Sequence, residues 1–309
     1  MKSPIRITII ILAMFIIAQL IGLAVINFYS QENMKLPYGF DQQEQISQTP
    51  NFSYYFIANL IFSFVIVLIF IAVLMKFKSG IIMKIWFFSV VVITIAIVLN
   101  ALILKLNIPY STWIAGIIAL VLAYFKVFKK NIITHNLTEL LIYPGIATLF
   151  VPMLNLTTTI ILLILISAYD IWAVWKSKFM MNMVKFQMKN VGLLGGFIIP
   201  YASKKVKEKI KLLKLKYKNN IPDKIIVKNK LKVGVAILGG GDIAYSLIAA
   251  GVAMKTFGGF YYGLIISLFA ALALLYIFIF GKNKPTPAMP YITIGVFLGY
   301  LLCWLISLF

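Results

Sequence analysis

Two carboxylic acids lie alone inside apolar stretches of this chain, where an acid is expected to act chemically. Asp170 occurs in LLILISAYDIWAVW and Asp242 in VGVAILGGGDIAYSLIAAG, and the whole chain has 8 acidic residues. A carboxylate near the centre of a bilayer costs at least ~2.5 kcal/mol, so such residues usually serve a function. Two carboxylates that share a proton can activate water, and we therefore predict that Asp170 and Asp242 form a pair.

The elements that position these acids are predicted to be membrane-spanning helices. The composition is 62% hydrophobic with a mean hydropathy of +0.99, and the apolar runs have the length that a helix needs to cross hydrocarbon. We predict one all-α polytopic membrane domain over residues 1–309 with nine transmembrane helices. Their approximate ranges are 7–28, 54–75, 81–104, 111–128, 137–153, 156–175, 233–254, 257–280 and 289–309.

The basic residues predict the orientation of these spans. With nine spans, every lysine and arginine falls on one side of the membrane except Lys35, Lys105 and Lys255. The positive-inside rule then places the N-terminus and the long loop 176–232 in the cytoplasm and the C-terminus outside. The net charge of +21 is explained by topology and lipid headgroups rather than by nucleic acid. We expect a multi-pass protein of the cell membrane.

Several other kinds of catalysis are disfavoured by the composition. The chain has one cysteine, Cys303, and one histidine, His135, so it cannot assemble a Cys/His metal site. A serine–histidine mechanism would need His135 inside the bilayer, whereas we interpret it as a solvated loop residue. No metal and no cofactor are therefore expected.

Short motifs surround the two acids. Gly239, Gly240 and Gly241 precede Asp242 and permit close backbone approach, although a packing notch between helices is the alternative. Tyr169 precedes Asp170, and its phenol can hydrogen-bond a carboxylate or a substrate carbonyl. Prolines open the ninth span in KPTPAMPYI, which predicts an extended segment whose backbone lines a cavity. These prolines are Pro285, Pro287 and Pro290.

Taken together, the motifs resemble those of the presenilin and signal peptide peptidase family. Tyr169–Asp170 is similar to the family's YD motif, and Gly239-Gly240-Gly241-Asp242 is similar to GxGD. Pro287-Ala288-Met289-Pro290 resembles PAL, with Met289 in place of leucine, a change that conserves volume. The order, the spacing and the nine-span layout match over nearly the whole chain, and the compact form is similar to microbial and especially archaeal members.

The resemblance implies an intramembrane aspartyl protease of the GxGD type with a presenilin-like fold. Asp170 and Asp242 would be the catalytic dyad, and the other motif residues would bind substrate or support the dyad. The implied substrates are single-span membrane proteins or signal-peptide remnants cleaved within the bilayer. The orientation inferred above is that of presenilins. We expect no obligate partner subunits.

The cytoplasmic loop 176–232 leaves two interpretations open. KIKLLKLKYK and KIIVKNKLKV flank the turn-prone NNIPD, a pattern compatible with a basic β-hairpin to which an unfolded substrate strand can pair. The alternative is a lipid-bound or disordered lysine-rich segment.

Two competing functions also remain. Intramembrane acids mark proton and cation pathways, so a leak channel or transporter is the main alternative, although no inverted repeat is visible. A catalytically silent assembly protein is the third hypothesis.

Overall fold

A computed structural model describes residues 5–31, 36–39, 80–129, 131–175, 195–201, 234–281 and 286–308, with scattered positions between 58 and 73. Long helices make up most of these ranges. They are α1 (Ile5–Gln31), α2 (Gly80–Lys105), α3 (Ser111–Phe128), α4 (Ile132–Phe150), α5 (Leu156–Trp175), α6 (Gly240–Phe257), α7 (Phe260–Phe280) and α8 (Met289–Ser307). Seven of them, all but α6, are long and apolar enough to cross a membrane.

The seventh predicted span requires a correction. Residues 233–254 were expected to form one helix, but Gly234–Gly239 form a strand and helix α6 begins at Gly240. The sequence VAIL is apolar, and a short apolar run is compatible with either a strand or a helix. The three consecutive glycines then weaken any helix that would continue across them.

The fifth predicted span also starts earlier than its hydropathy indicated. The prediction was 137–153, whereas α4 begins at Ile132 and a short 3-10 turn, Val151–Met153, follows it. Asn131 caps the helix, because its side chain accepts a hydrogen bond from the Ile133 N–H at 3.0 Å. The polar residues of the first turns had lowered the local hydropathy.

Two strands flank the long basic loop. Strand β1 (Gly196–Tyr201) pairs antiparallel with strand β2 (Gly234–Gly239), with Gly196 opposite Gly239 and Tyr201 opposite Gly234. A basic β-hairpin around NNIPD was one of two interpretations of this loop, whereas the strands described here lie in the apolar FIIP segment and at the start of the seventh span. The predicted hairpin around NNIPD lies outside the described residues, as does most of the second span, where the described positions between 58 and 73 are helical.

Helix α6 is the centre of the bundle. It packs against α1, α4, α5, α7 and α8, and its side chains from Ile243 to Met254 are buried except Tyr245. Gln19 of α1 joins this core, because its Nε2 donates to Ser246 Oγ at 2.8 Å and its Oε1 accepts from Ser267 of α7 at 3.2 Å. These bonds fix α6 between two neighbours.

The bundle has two ends that differ in the groups they bury. One end, which we call the aspartate end, carries Asp170 near the last turn of α5 and Asp242 in the first turn of α6. The opposite end carries a neutral network in which Tyr29 donates to the Ile97 carbonyl at 3.0 Å and Asn100 Nδ2 donates to Tyr29 Oη at 3.1 Å. Thr112 completes this network by donating to Asn100 Oδ1 at 3.3 Å.

Candidate active site

Asp242 occupies the third residue of helix α6, directly after strand β2 ends. Its side chain is partly buried, and the backbone N–H of Gly239 interacts with its carboxylate. A carboxylate in the first turn of a helix also interacts favourably with the unpaired backbone N–H groups there. The change from strand to helix thus places the acid at a corner of the backbone rather than inside a continuous helix.

Asp170 lies on α5 and contacts the start of α8. The backbone N–H of Met289 donates to Asp170 Oδ2 at 3.1 Å. One turn further into the bundle the same two helices are joined again, because the hydroxyls of Ser167 and Thr293 are 2.7 Å apart. Two bonds one helical turn apart therefore align the start of α8 with the Asp170 carboxylate.

The structure brings the two predicted acids together. Helices α5 and α6 are in contact, and the charges of Asp170 and Asp242 are close enough to interact. Pro287-Ala288-Met289-Pro290 comes to the same place, since α8 starts at Met289 and Pro287 is buried beside it. Pro285 lies outside the described residues.

The glycines before Asp242 make close contacts of different kinds. A Cβ added to Gly240 would lie 2.6 Å from Tyr143 Oη, and one added to Gly239 would lie 3.0 Å from Asp242 Oδ2. A Cβ on Gly241 would make an ordinary contact at 3.5 Å with the Tyr245 ring. Gly240 therefore permits an approach between helices, and Gly239 leaves room for the acid itself.

An apolar cavity of about 580 Å³ opens beside the acids. Its wall includes Tyr169 from α5, Gly240, Gly241 and Tyr245 from α6, and Tyr143 from α4. Ile61 and Ser63, from the helical positions of the second predicted span, line it as well. The cavity thus reaches the residues that flank both Asp170 and Asp242 and is suited to an apolar chain.

Comparison with known proteins agrees with this arrangement. A family model described as signal-peptide peptidase, presenilin aspartyl protease matches residues 12–308. The chain belongs to this family. No curated protein matches the sequence significantly.

Solved structures of presenilin-family proteins share the fold. One presenilin family intramembrane aspartate protease, solved in space group C222, superposes with a TM-score of 0.59 at 15% identity over 97% of this chain and 99% of its own. A structure of a presenilin family intramembrane aspartate protease in space group P2 gives 0.54 at 16% identity over 96% of each chain. The predicted family and its all-α, presenilin-like membrane fold are therefore confirmed.

Next to strand β1, this presenilin-family chain has a buried ionic cluster that was not predicted from the sequence. Lys126 Nζ of α3 lies 2.5 Å from Glu139 Oε1 of α4, and the Tyr143 hydroxyl donates to Glu139 Oε2. Both charged side chains are almost fully buried. The signal was present in the sequence, because Glu139, like Asp170, is an acid within a predicted membrane span, and such acids usually serve a function.

His135 is placed differently from its prediction as a solvated loop residue, which was wrong. It lies in the first turn of α4 with a 12% exposed side chain, and its Nε2 is 2.9 Å from the Gly196 carbonyl oxygen of β1. Its Nδ1 is 3.5 Å from Lys126 Nζ. These partners place the imidazole proton on Nε2, which leaves Nδ1 to accept from the ammonium.

Proposed function

We propose that this protein hydrolyses peptide bonds of single-span membrane proteins or signal-peptide remnants within the bilayer, with Asp170 and Asp242 as the catalytic pair. The observation that carries the proposal is that these two acids are close enough for their charges to interact, and that residues flanking both of them line an apolar cavity. Family membership supports aspartic protease chemistry. Such chemistry needs two carboxyl groups and one water molecule.

The mechanism follows from two carboxyl groups that share one proton. The ionised acid takes a proton from a water molecule, whose oxygen attacks the scissile carbonyl carbon. The protonated acid gives its proton to the carbonyl oxygen as that oxygen gains negative charge. In the second step the acid that took the proton from water donates it to the peptide nitrogen, and the other acid takes back the proton from the former carbonyl oxygen. The C–N bond then breaks to release an amine and a carboxylic acid.

The other motif residues have supporting roles in this proposal. The Met289 N–H orients the Asp170 carboxylate through its 3.1 Å hydrogen bond. Gly239, Gly240 and Gly241 keep the corner before Asp242 free of side chains, and Tyr169 forms part of the cavity wall. Pro287, and Pro290 in the first turn of α8, prevent the helix from starting earlier, so that the Met289 N–H remains available. The backbone of Ala288 also interacts with the Asp170 carboxylate.

The outer edge of β2 is the proposed place for the extended part of a substrate. Ile198 and Ile237 are opposite each other in the strand pair, and the backbone of Ile198 bonds away from β2, to Asn136. Ile198 and Ile237 are therefore a non-hydrogen-bonded pair of the antiparallel ladder. In such a pair the N–H and C=O groups of both residues point away from the partner strand, so those of Ile237 point away from β1. Within the described part of the chain no strand pairs with that edge. A peptide that adds there continues towards Gly239 and the dyad.

Cleavage by the purified protein tests the proposal. We expect the reconstituted protein to cleave a single-span reporter and to lose at least about 10³-fold in rate in Asp170→Ala and in Asp242→Ala, with the double variant no worse. Thermal unfolding of each variant verifies that it is folded. Substantial cleavage by a folded single variant would remove that acid from the mechanism, and ion flux without cleavage would favour the channel alternative.

The proposed orientation places the aspartate end towards the cytoplasm. The basic residues of loop 176–232 support it through the positive-inside rule. Reporters fused within this loop are expected to be cytoplasmic, and reporters after Phe309 external. The opposite result would place the site in the outer half of the membrane.

A further inference from the structure

Asn136, in the first turns of helix α4, binds strand β1 as a neighbouring strand would. Its Nδ2 donates to the Ile198 carbonyl oxygen at 2.8 Å, and its Oδ1 accepts from the Ile198 N–H at 2.9 Å. In an antiparallel ladder a paired residue makes the same two bonds. Asn136 thus replaces a third strand at this point and occupies the outer edge of β1.

Gly196, two residues earlier in β1, is held by two further side chains of α4. Its carbonyl oxygen is 2.9 Å from His135 Nε2, and its N–H donates to Glu139 Oε2 at 3.3 Å. The backbone of Gly196 has φ +114°, and an added Cβ would collide with the carbonyl oxygen of Leu238. The strand is therefore fixed at a position where its conformation requires glycine.

Glu139 is itself held by more than one partner. It accepts hydrogen bonds from Tyr143 and Gly196, and Lys126 supplies its counter-charge at 2.5 Å. A buried ion pair tolerates its desolvation only where additional hydrogen bonds satisfy the remaining lone pairs. The cluster meets that condition, and its geometry leaves the Glu139 carboxylate little freedom to move.

The same cluster touches the junction that carries Asp242. Gly196 is paired with Gly239, the last residue of β2. The Tyr143 hydroxyl lies against Gly240, the first residue of α6, where an added Cβ would come within 2.6 Å. Two partners of Glu139 therefore contact Gly239 and Gly240, which lie at the junction of β2 and α6 just before Asp242.

We propose that Asn136 and Glu139 are positioning residues, which fix the strand pair on α4 and so fix the Asp242 carboxylate relative to Asp170. The inference rests on the proposed function, in which Asp242 is catalytic. In the proposed function neither residue touches the substrate. A displacement of a reacting group by 1 Å can cost about 100-fold in rate, so loss of this support should appear in kcat.

A pair of double variants separates positioning from simple stability. Lys126→Met with Glu139→Met removes the buried charges and the hydrogen bonds of position 139, whereas Lys126→Met with Glu139→Gln removes the charges and keeps an amide that can bond Gly196 and Tyr143. Both remove the ion pair, which apolar side chains of similar volume can often replace without loss of folding. We expect kcat of the Met/Met variant to be about tenfold to 100-fold below that of the Met/Gln variant, with KM changed less than about threefold.

A second pair of variants tests Asn136 against a matched asparagine. Asn136→Ala removes two hydrogen bonds at the aspartate end, and Asn100→Ala removes two at the opposite end. We expect Asn136→Ala to lower kcat by about tenfold or more and to speed amide exchange of residues 196–201. We expect Asn136→Ala and Asn100→Ala to lower the unfolding temperature by similar amounts. Asn100→Ala should leave kcat unchanged.

The outcomes distinguish this inference from the proposed function. Wild-type cleavage that is lost in both Asp170→Ala and Asp242→Ala supports the function whatever the positioning variants do. Equal kcat in the Met/Met and Met/Gln variants, or equal loss of kcat in Asn136→Ala and Asn100→Ala, would overturn the positioning role. If the Met/Met variant does not fold, the asparagine pair with its exchange measurement decides.

Discussion

The two ends of the bundle satisfy their buried polar groups in different ways. At the aspartate end the described residues include the buried ion pair of Lys126 and Glu139 and the two partly buried acids Asp170 and Asp242. At the opposite end Tyr29, Asn100 and Thr112 join α1, α2 and α3 through uncharged hydrogen bonds. Both arrangements connect helices, but only one requires charges to leave water.

This difference indicates which end has a purpose beyond stability. Neutral networks connect membrane helices at about 0.6 kcal/mol per bond, whereas each buried charge adds a desolvation cost of several kcal/mol. A bundle that needed only cohesion would therefore use the chemistry of the opposite end throughout. The buried charges at the aspartate end are consistent with a site that holds and moves protons.

The first prediction, with the largest expected effect, is that the rate of cleavage depends on pH through the two acids of the aspartate end. Below the lower apparent pKa of the pair both acids are protonated and no base remains, and above the upper one both are ionised and no acid remains. The rate should fall about tenfold per pH unit beyond each limit. Rates measured from acid to alkaline pH on folded protein provide the test.

Asn100→Ala is the control for this profile. It alters the opposite end, so it should lower the unfolding temperature and leave both limbs of the pH profile in place. A flat profile in the wild-type protein would contradict the shared-proton pair.

The second prediction compares two glycines of α6 with equally close neighbours. A Cβ on Gly240 would lie 2.6 Å from Tyr143 Oη, and one on Gly251 would lie 2.6 Å from Val151 Cγ2 in the opposite half. Both alanine variants should lose about 1–3 kcal/mol of stability through overpacking. Only Gly240→Ala should also lower kcat, by about tenfold, because it displaces the corner before Asp242.

Kinetics and unfolding measured on the same preparations distinguish the two glycine variants. An equal loss of kcat in Gly240→Ala and Gly251→Ala would show that activity follows stability alone. A loss of kcat in Gly251→Ala alone would contradict the prediction, because it would place the contact that controls activity in the half of the bundle opposite the aspartate end.

Much of this architecture was predictable because long apolar runs have few alternatives to a membrane helix. The predicted range 156–175 coincides with α5, and 111–128 coincides with α3. The strand Gly234–Gly239 was not predictable by length, because its apolar residues continue directly into those of α6. Its partner β1 is about 40 residues away in sequence, and such a long-range pairing leaves no local signal.

The positions of the candidate site residues relative to one another were predictable only in part. Asp170, Asp242 and the segment at Met289 were identified by their types and order, and the structure places them together. Asn136 was missed because hydropathy placed the span start at 137 and left this residue outside the span. Glu139 was missed although it lies inside the predicted span, because its partners Lys126 and Gly196 are distant in sequence. His135 and Asn136, which lie just outside the predicted span, both bind β1.

The third prediction concerns the prolines that begin α8. Pro287→Ala and Pro290→Ala each allow the helix to start earlier, which would turn the Met289 N–H into the helix and away from Asp170. We expect about a tenfold loss of kcat and less than about 1 kcal/mol of stability. Turnover measured beside thermal unfolding is the test, and full activity in both variants would remove this segment from the site.

The last and smallest effect is expected for Met289→Leu. The side chain of Met289 is 4% exposed, and leucine conserves its volume, so the stability change should stay below about 1.5 kcal/mol. The contact with Asp170 is made by the backbone N–H, which leucine retains. Cleavage rate and pH profile should therefore match the wild type within about twofold. A large loss of kcat with unchanged unfolding would show that the methionine side chain itself, and not only the backbone beside it, shapes the aspartate end.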